Sequence, residues 1–167
     1  MLFIANLKKM VSKDALNACI DTLSALNRIA AETAQGFDIH AATDVTGFGL
    51  AGHVFEMARG SGMCILIDME RLPIMDQALE MYQKGVSTAK NASNREQVRP
   101  HMRVDLDLPP WHQESVFDPQ TRGGLLMALP ASQSDARCPA LQAAGVAQAT
   151  TIGSVEPLED HVHLVFC

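Results

Sequence analysis

Leu16, Ile20, Leu23, Leu26 or Asn27, and Ala30 recur at three- and four-residue spacing, which predicts an amphipathic helix with one face in a core. Ser12 supplies its N-cap, Asp14 an acidic first turn and Gly36 its stop. Residues 37–43 then read as a strand, with His40 a strand residue without chemistry, delivering Asp44 to a glycine-containing turn. Beyond the turn, Leu50, Val54, Phe55, Met57 and Ala58 predict a short amphipathic helix that Gly60-Ser61-Gly62 ends. The run Met-Cys-Ile-Leu-Ile over 63–67 has the length of a buried strand. Pro73 opens a second helix-prone stretch over 75–83, closed by Gly85.

The polar stretch 87–96 shows no hydrophobic period and predicts a long loop, with Lys90 and Arg95 as solvated charges or, alternatively, phosphate contacts. Residues 101–106 predict a strand, and Pro109-Pro110-Trp111 a short helical turn reaching Val116, its tryptophan a packing residue. A strand over 124–129, a helix over 132–144 interrupted by Pro139, and strands over 147–155 and 161–166 close the chain. Alternating strands and helices favour an α/β (α+β) domain: a mixed β-sheet covered by helices. At 167 residues the chain is expected to be a single domain, 1–167.

Composition narrows the function classes. Hydrophobic residues make up 47% and charged residues 19%, a globular balance. The apolar runs fall far short of the roughly 18 residues a membrane helix needs, so no membrane partner is expected. Met1-Leu2-Phe3-Ile4 precedes Lys8-Lys9, the reverse of a signal peptide's order, and a cytoplasmic location is expected. Net charge is −6 with the basic residues dispersed, which argues against a nucleic-acid partner. Cys19, Cys64, Cys138 and Cys167 include no Cys-x-x-Cys pair; reduced thiols are the default, with Cys19 and Cys64 as packing residues. His161 and His163 share one strand face as a possible metal pair but lack an evident third ligand.

Two stretches carry candidate chemistry. Ala42-Thr43-Asp44-Val45-Thr46-Gly47-Phe48-Gly49-Leu50-Ala51-Gly52-His53 joins an acidic residue to a turn and a helix start, where backbone N–H groups can face an anion. Asp44 beside that turn suggests a metal-bridged phosphate site; alternatively, Asp44 only caps and the glycines only turn the chain. His53 inside the following helix is a conceivable general base, with a packing role favoured. Phe117-Asp118-Pro119-Gln120-Thr121-Arg122-Gly123-Gly124-Leu125-Leu126-Met127-Ala128-Leu129 again sets an acidic residue and a glycine pair ahead of an apolar run. Asp118 before Pro119 is equally well an ordinary turn former.

In this order the two stretches resemble the C-terminal domain of the selenophosphate synthetase (selenide, water dikinase) family, within the aminoimidazole ribonucleotide synthetase superfamily. The resemblance extends through the Leu-Asn-Arg-Ile-Ala-Ala-Glu segment at 26–32, Asn94-Arg95 and Ile152-Gly153-Ser154-Val155. It implies a reaction that turns ATP, selenide and water into selenophosphate, phosphate and AMP, with Mg2+ as cofactor and a homodimer in the full-length form. It implies Asp44 as a metal ligand, Thr43, Thr46, Gly47 and Gly49 shaping the phosphate-facing turn, and Asp118, Thr121, Gly123 and Gly124 shaping the second loop. Arg122 stands where the family usually has serine. The family's N-terminal ATP-binding domain, with its nucleophilic cysteine or selenocysteine, is not in this sequence, so the chain is expected to be a fragment inactive alone. Two alternatives stand beside it: a related ATP-dependent enzyme domain of the superfamily, and a noncatalytic dimerisation or ligand-binding module.

Overall fold

The computed structural model describes residues 1–167, the Asp135 side chain excepted. Its strands are β1 (Ala41–Asp44), β2 (Met63–Ile67), β3 (Met102–Val104), β4 (Leu125–Ala128), β5 (Gly153–Pro157) and β6 (Leu164–Phe166). Its helices are α1 (Leu2–Leu7), α2 (Lys13–Ser24), α3 (Arg28–Ala34), α4 (Gly49–Ser61), α5 (Ala78–Gln83), α6 (Ala89–Val98), α7 (Pro110–Gln113) and α8 (Ala131–Ala143). Four strands form a sheet in the order β3-β6-β2-β5, in which β2 and β3 run parallel to β6 and β5 runs antiparallel to β2. The expected mixed sheet with helices packed on it is present. β1 and β4 form a separate antiparallel ladder, with Ala41 opposite Ala128 and Asp44 opposite Leu125.

The core lies where α4 meets the four-stranded sheet. Ala51, Val54, Phe55 and Ala58 come from the helix, Ile65, Ile67, Leu164 and Phe166 from the strands, and Val98, Val116 and Phe117 close the side. Burying each large side chain contributes on the order of 1.5–3 kcal/mol. Gly62 ends α4 in the left-handed conformation, φ 64°, and its N–H donates to the Ala58 and Arg59 carbonyls. A second cluster of Leu2, Ala5, Cys19, Ala78, Met81 and Val86 holds α1, α2 and α5 together, so Cys19 does pack in a core.

Three local expectations are corrected. The helix predicted from Ser12 to Gly36 is two helices, α2 and α3, broken at Ala25, where ψ of 133° is extended backbone. Its buried face is also displaced by one residue: Ala15 and Cys19 are buried, whereas Ile20 and Leu26 are 40% and 65% exposed. The predicted loop over 87–96 is instead helix α6, which buries Asn91, Asn94 and Val98. A helix whose inward face is largely amide shows no hydrophobic period. The strands predicted over 37–43 and 147–155 begin only at Ala41 and Gly153, and His40 precedes β1, exposed beside Asp38.

Candidate functional site

The two glycine motifs meet at the open end of the β1–β4 ladder. Beyond the last strand pair, the Val45 N–H donates to the Gly124 carbonyl at 3.1 Å and the Gly123 N–H donates back to the Val45 carbonyl at 2.8 Å. One step further, the Gln120 N–H donates to the Thr46 carbonyl at 3.0 Å. Motifs far apart in sequence are thereby zipped into one double loop in front of α4.

Two of the four candidate glycines are demanded by this packing. Gly49 holds φ at +69°, and a Cβ there would stand 2.8 Å from the Phe117 carbonyl carbon. A Cβ on Gly123 would meet the Val45 oxygen at 2.7 Å. Gly47 and Gly124 are different: a Cβ on either meets nothing within 4 Å, and both residues are exposed.

Two asparagines clamp the double loop from outside it. Asn94 on α6 donates through Nδ2 to the Gly47 carbonyl at 3.0 Å and the Phe117 carbonyl at 2.9 Å. Asn27, at the start of α3, donates to the Gly123 carbonyl at 3.1 Å. Neither was singled out as a site residue from sequence. The signal that could have found Asn94 is the Asn91-Asn94 pair at i, i+3, one helical face of amides in a stretch that lacks apolar residues. Asn91 works alongside it, donating to the Glu114 backbone carbonyl at 3.1 Å.

On the rim, Asp44 is exposed at the end of β1, and no side chain among the described residues pairs with its carboxylate. Thr43 is half-buried and its hydroxyl donates to the Asp44 carbonyl at 3.4 Å. The Thr46 hydroxyl lies 3.0 Å from Nε2 of His53, which is buried in α4 against Phe48 at 5.7 Å between ring centroids. Thr121 and Arg122 are exposed. Asp118 lies beneath the loop, away from this rim. Its Oδ2 accepts from the Met1 amine and from Gln120 Nε2, each at 3.1 Å, while Oδ1 has no partner. Burial pushes the Asp118 carboxyl above its ordinary value, outweighing the amine, Tyr82 and Gln120, which pull it down. Burial, and then the Asp118 charge, push the Tyr82 phenol up in turn.

The other candidates have defined places. Arg95 pairs with Glu114 and lies 5.2 Å over the Phe117 ring, and Lys90 lies 5.7 Å over Phe48. His163 Nδ1 is 3.0 Å from the Met63 carbonyl while His161 is exposed, and no group of three or more metal-ligating side chains converges among the described residues. A magnesium ion takes one or two protein carboxylates and completes its shell with water and phosphate oxygens. The unpaired Asp44 carboxylate fits one such ligand, and the rest of the shell would come from outside this chain.

Residues 4–165 match the family model described as AIR synthase related protein, C-terminal domain. The chain belongs to this family. Among the curated relatives of this AIR synthase related domain, the selenide, water dikinase of Clostridioides difficile strain 630 is 34% identical over 148 residues, 89% of the chain and 42% of that protein. The selenide, water dikinase of Agathobacter rectalis is 39% identical over 132 residues, 79% of the chain and 38% of that protein. The chain thus spans about two-fifths of the length of the curated relatives it matches. These relatives bear out the resemblance carried by the two glycine motifs. The solved hydrogenase maturation protein HypE in complex with ATP superposes with a TM-score of 0.54 at 21% identity, over 85% of the chain and 36% of that protein, which shows the shared fold.

Proposed function

We propose that this domain is the C-terminal part of a selenide, water dikinase, and that its double loop faces the phosphates of ATP during conversion of ATP, selenide and water to selenophosphate, phosphate and AMP. The observation that carries this reading is the fusion of both glycine motifs into one loop pair with the Asp44 carboxylate unpaired on its rim. Gly47 and Gly124 leave backbone accessible there, and the first turn of α4 directs N–H groups the same way. Magnesium, when bound, would neutralise charge on the phosphoryl oxygens. Asp44 would hold it, Thr43 and Thr46 would shape the turn behind it, and Thr121 with Gly124 would shape the facing loop. Asp118 and Gly123 act one layer down, setting the loop's form. The nucleophile and most ATP contacts belong in this proposal to an N-terminal ATP-binding domain of the same protein, which works as a cytoplasmic homodimer. Exposed apolar side chains such as Leu7 at 83% and Leu26 at 65% support a covering partner.

Asp44→Asn in the longer protein tests the reading. It keeps the side-chain volume and removes a negative ligand, so selenide-dependent AMP formation should fall at least about a hundredfold, given that outer-shell partners of a metal alone are worth about 10–100-fold. In this chain the same exposed substitution should leave stability within about 0.5 kcal/mol. A normal rate and normal magnesium dependence in the variant would reduce Asp44 to a strand-end residue.

A further inference from the structure

We infer that His53 is a positioning residue that sets the hydrogen-bond polarity of the Thr46 hydroxyl, and through it decides whether the loop offers an O–H donor to a phosphate or sulfate oxygen. This rests on the reading of the double loop as phosphate-facing. Thr46 is the junction of that loop: its carbonyl accepts from the Gly49 and Gln120 N–H groups, each at 3.0 Å, so its backbone is fixed and only the hydroxyl can turn. The hydroxyl is 3.0 Å from His53 Nε2, and His53 is only 7% exposed. A bond between one hydroxyl and one ring nitrogen has two polarities, and the tautomer chooses between them.

The far side of the ring makes that choice. His53 Nδ1 is buried with no hydrogen-bond partner, and the Glu56 carboxylate lies 3.7 Å from it, too long for a hydrogen bond but within ion-pair reach. A proton on Nδ1 is favoured by that carboxylate, which leaves Nε2 of the neutral ring as an acceptor. Thr46 then spends its O–H on His53 and presents only lone pairs to the loop. When the ring takes up a second proton, Nε2–H donates to Thr46 Oγ1, and the Thr46 O–H is released to turn toward an anion. Anion binding at the loop and proton uptake at His53 thus favour each other.

The elements packed on α4 bring few competing groups. They are β1, β2, β6, α6 and the turn Glu114–Phe117. β1 ends in exposed Asp44, β2 carries only the Cys64 thiol, and β6 has no titratable side chain. α6 brings Lys90, which lies over Phe48, Arg95, which is tied to Glu114 of the turn, and exposed Glu96, which lies 3.5 Å from Arg99. The His101 and His163 rings pack on Phe55 of the same helix, at 5.0 and 5.9 Å between ring centroids, so the Thr46→Val and His53→Gln variants separate their titration from that of His53.

The test uses this chain labelled with 15N-histidine, and sulfate as the probe because its charge is constant across the pH range. The neutral His53 ring should carry its proton on Nδ1. Sulfate binding, followed at the Thr46 and Gly47 amides, should be about fivefold or more tighter near about pH 5.5 than near about pH 8.5, the lower end of ordinary site-to-site coupling. His53→Gln should abolish this pH effect, and Thr46→Val should cut it sharply. A neutral ring protonated on Nε2 would overturn the inference without any variant. An undiminished pH effect in Thr46→Val would also overturn it, because the imidazolium charge alone would then suffice. The Nδ1–H tautomer with no sulfate response at either pH would instead sink the phosphate-facing reading, and this inference with it.

Discussion

Glycine plays two different roles at two positions of the first motif. Gly49 combines φ of +69° with a backbone contact that a Cβ would bring to 2.8 Å, so Gly49→Ala strains its own dihedral and pushes on Phe117 together. Its expected cost is about 2 kcal/mol or more, whereas Gly47→Ala, pointing into open space, should stay within about 0.5 kcal/mol. Urea unfolding of the two variants checks the contrast, and equal costs would contradict the packing described. Asp118 offers a second test, through pH. Because its carboxyl is raised by burial, ionising it costs more in the fold than in the unfolded chain. Its contribution to stability is therefore complete below the ordinary carboxylate value and is lost as pH rises through the raised folded value. Asp118→Asn does not ionise, so its stability relative to the native chain should increase between about pH 4 and pH 7. A difference that falls with pH would show that the polar partners of Asp118 outweigh burial, and a flat one that they balance it; either would contradict the raised carboxyl.

Among the elements, α4 and β2 are legible because local signals agree with tertiary demand: a 3.6-residue apolar period ended by a left-handed glycine, then an apolar strand that the sheet covers. α6 is illegible for the opposite reason. Its inward face is Val98 with Asn91 and Asn94, whose side-chain amides feed hydrogen bonds to backbone carbonyls, and no hydrophobicity pattern records that. The break between α2 and α3 likewise has no glycine or proline to announce it. It lets Asn27 reach Gly123, a contact visible only once the second motif is in place. The candidate site divides the same way: the glycine motifs and Asp44 stand out in the sequence, while Asn94, which joins the Gly47 and Phe117 carbonyls, does not. Asn94→Leu keeps the branched shape at Cγ and leaves the Gly47 carbonyl and the buried Phe117 carbonyl without their donor. It should cost about 2–3 kcal/mol and raise amide exchange in the 45–49 loop. A variant as stable as the native chain would mean that water replaces the amide at no cost.

At the scale of the whole molecule, the domain is built to present a loop more than to enclose a reaction. Its two apolar clusters lie behind α4 and among α1, α2 and α5, and the Asp44 rim projects from the end of a two-stranded ladder outside the main sheet. No three ligating side chains converge among the described residues. On the proposed reading, Asp44 would be the carboxylate this domain brings to a metal that neutralises phosphoryl charge, and the other ligands would come from elsewhere. The chain also spans about two-fifths of the selenide, water dikinases it resembles. This chain alone, mixed with ATP, magnesium and selenide, should therefore form no AMP above the uncatalysed background. The same domain within the longer protein should form it in a selenide-dependent way. Selenide-dependent AMP from the purified chain would mean that a complete site is assembled from residues 1–167, and the division of labour argued from the exposed rim would fail. Absence of activity in the longer protein as well, with Asp44 intact and the domain folded, would instead favour a binding role for the double loop over a catalytic one.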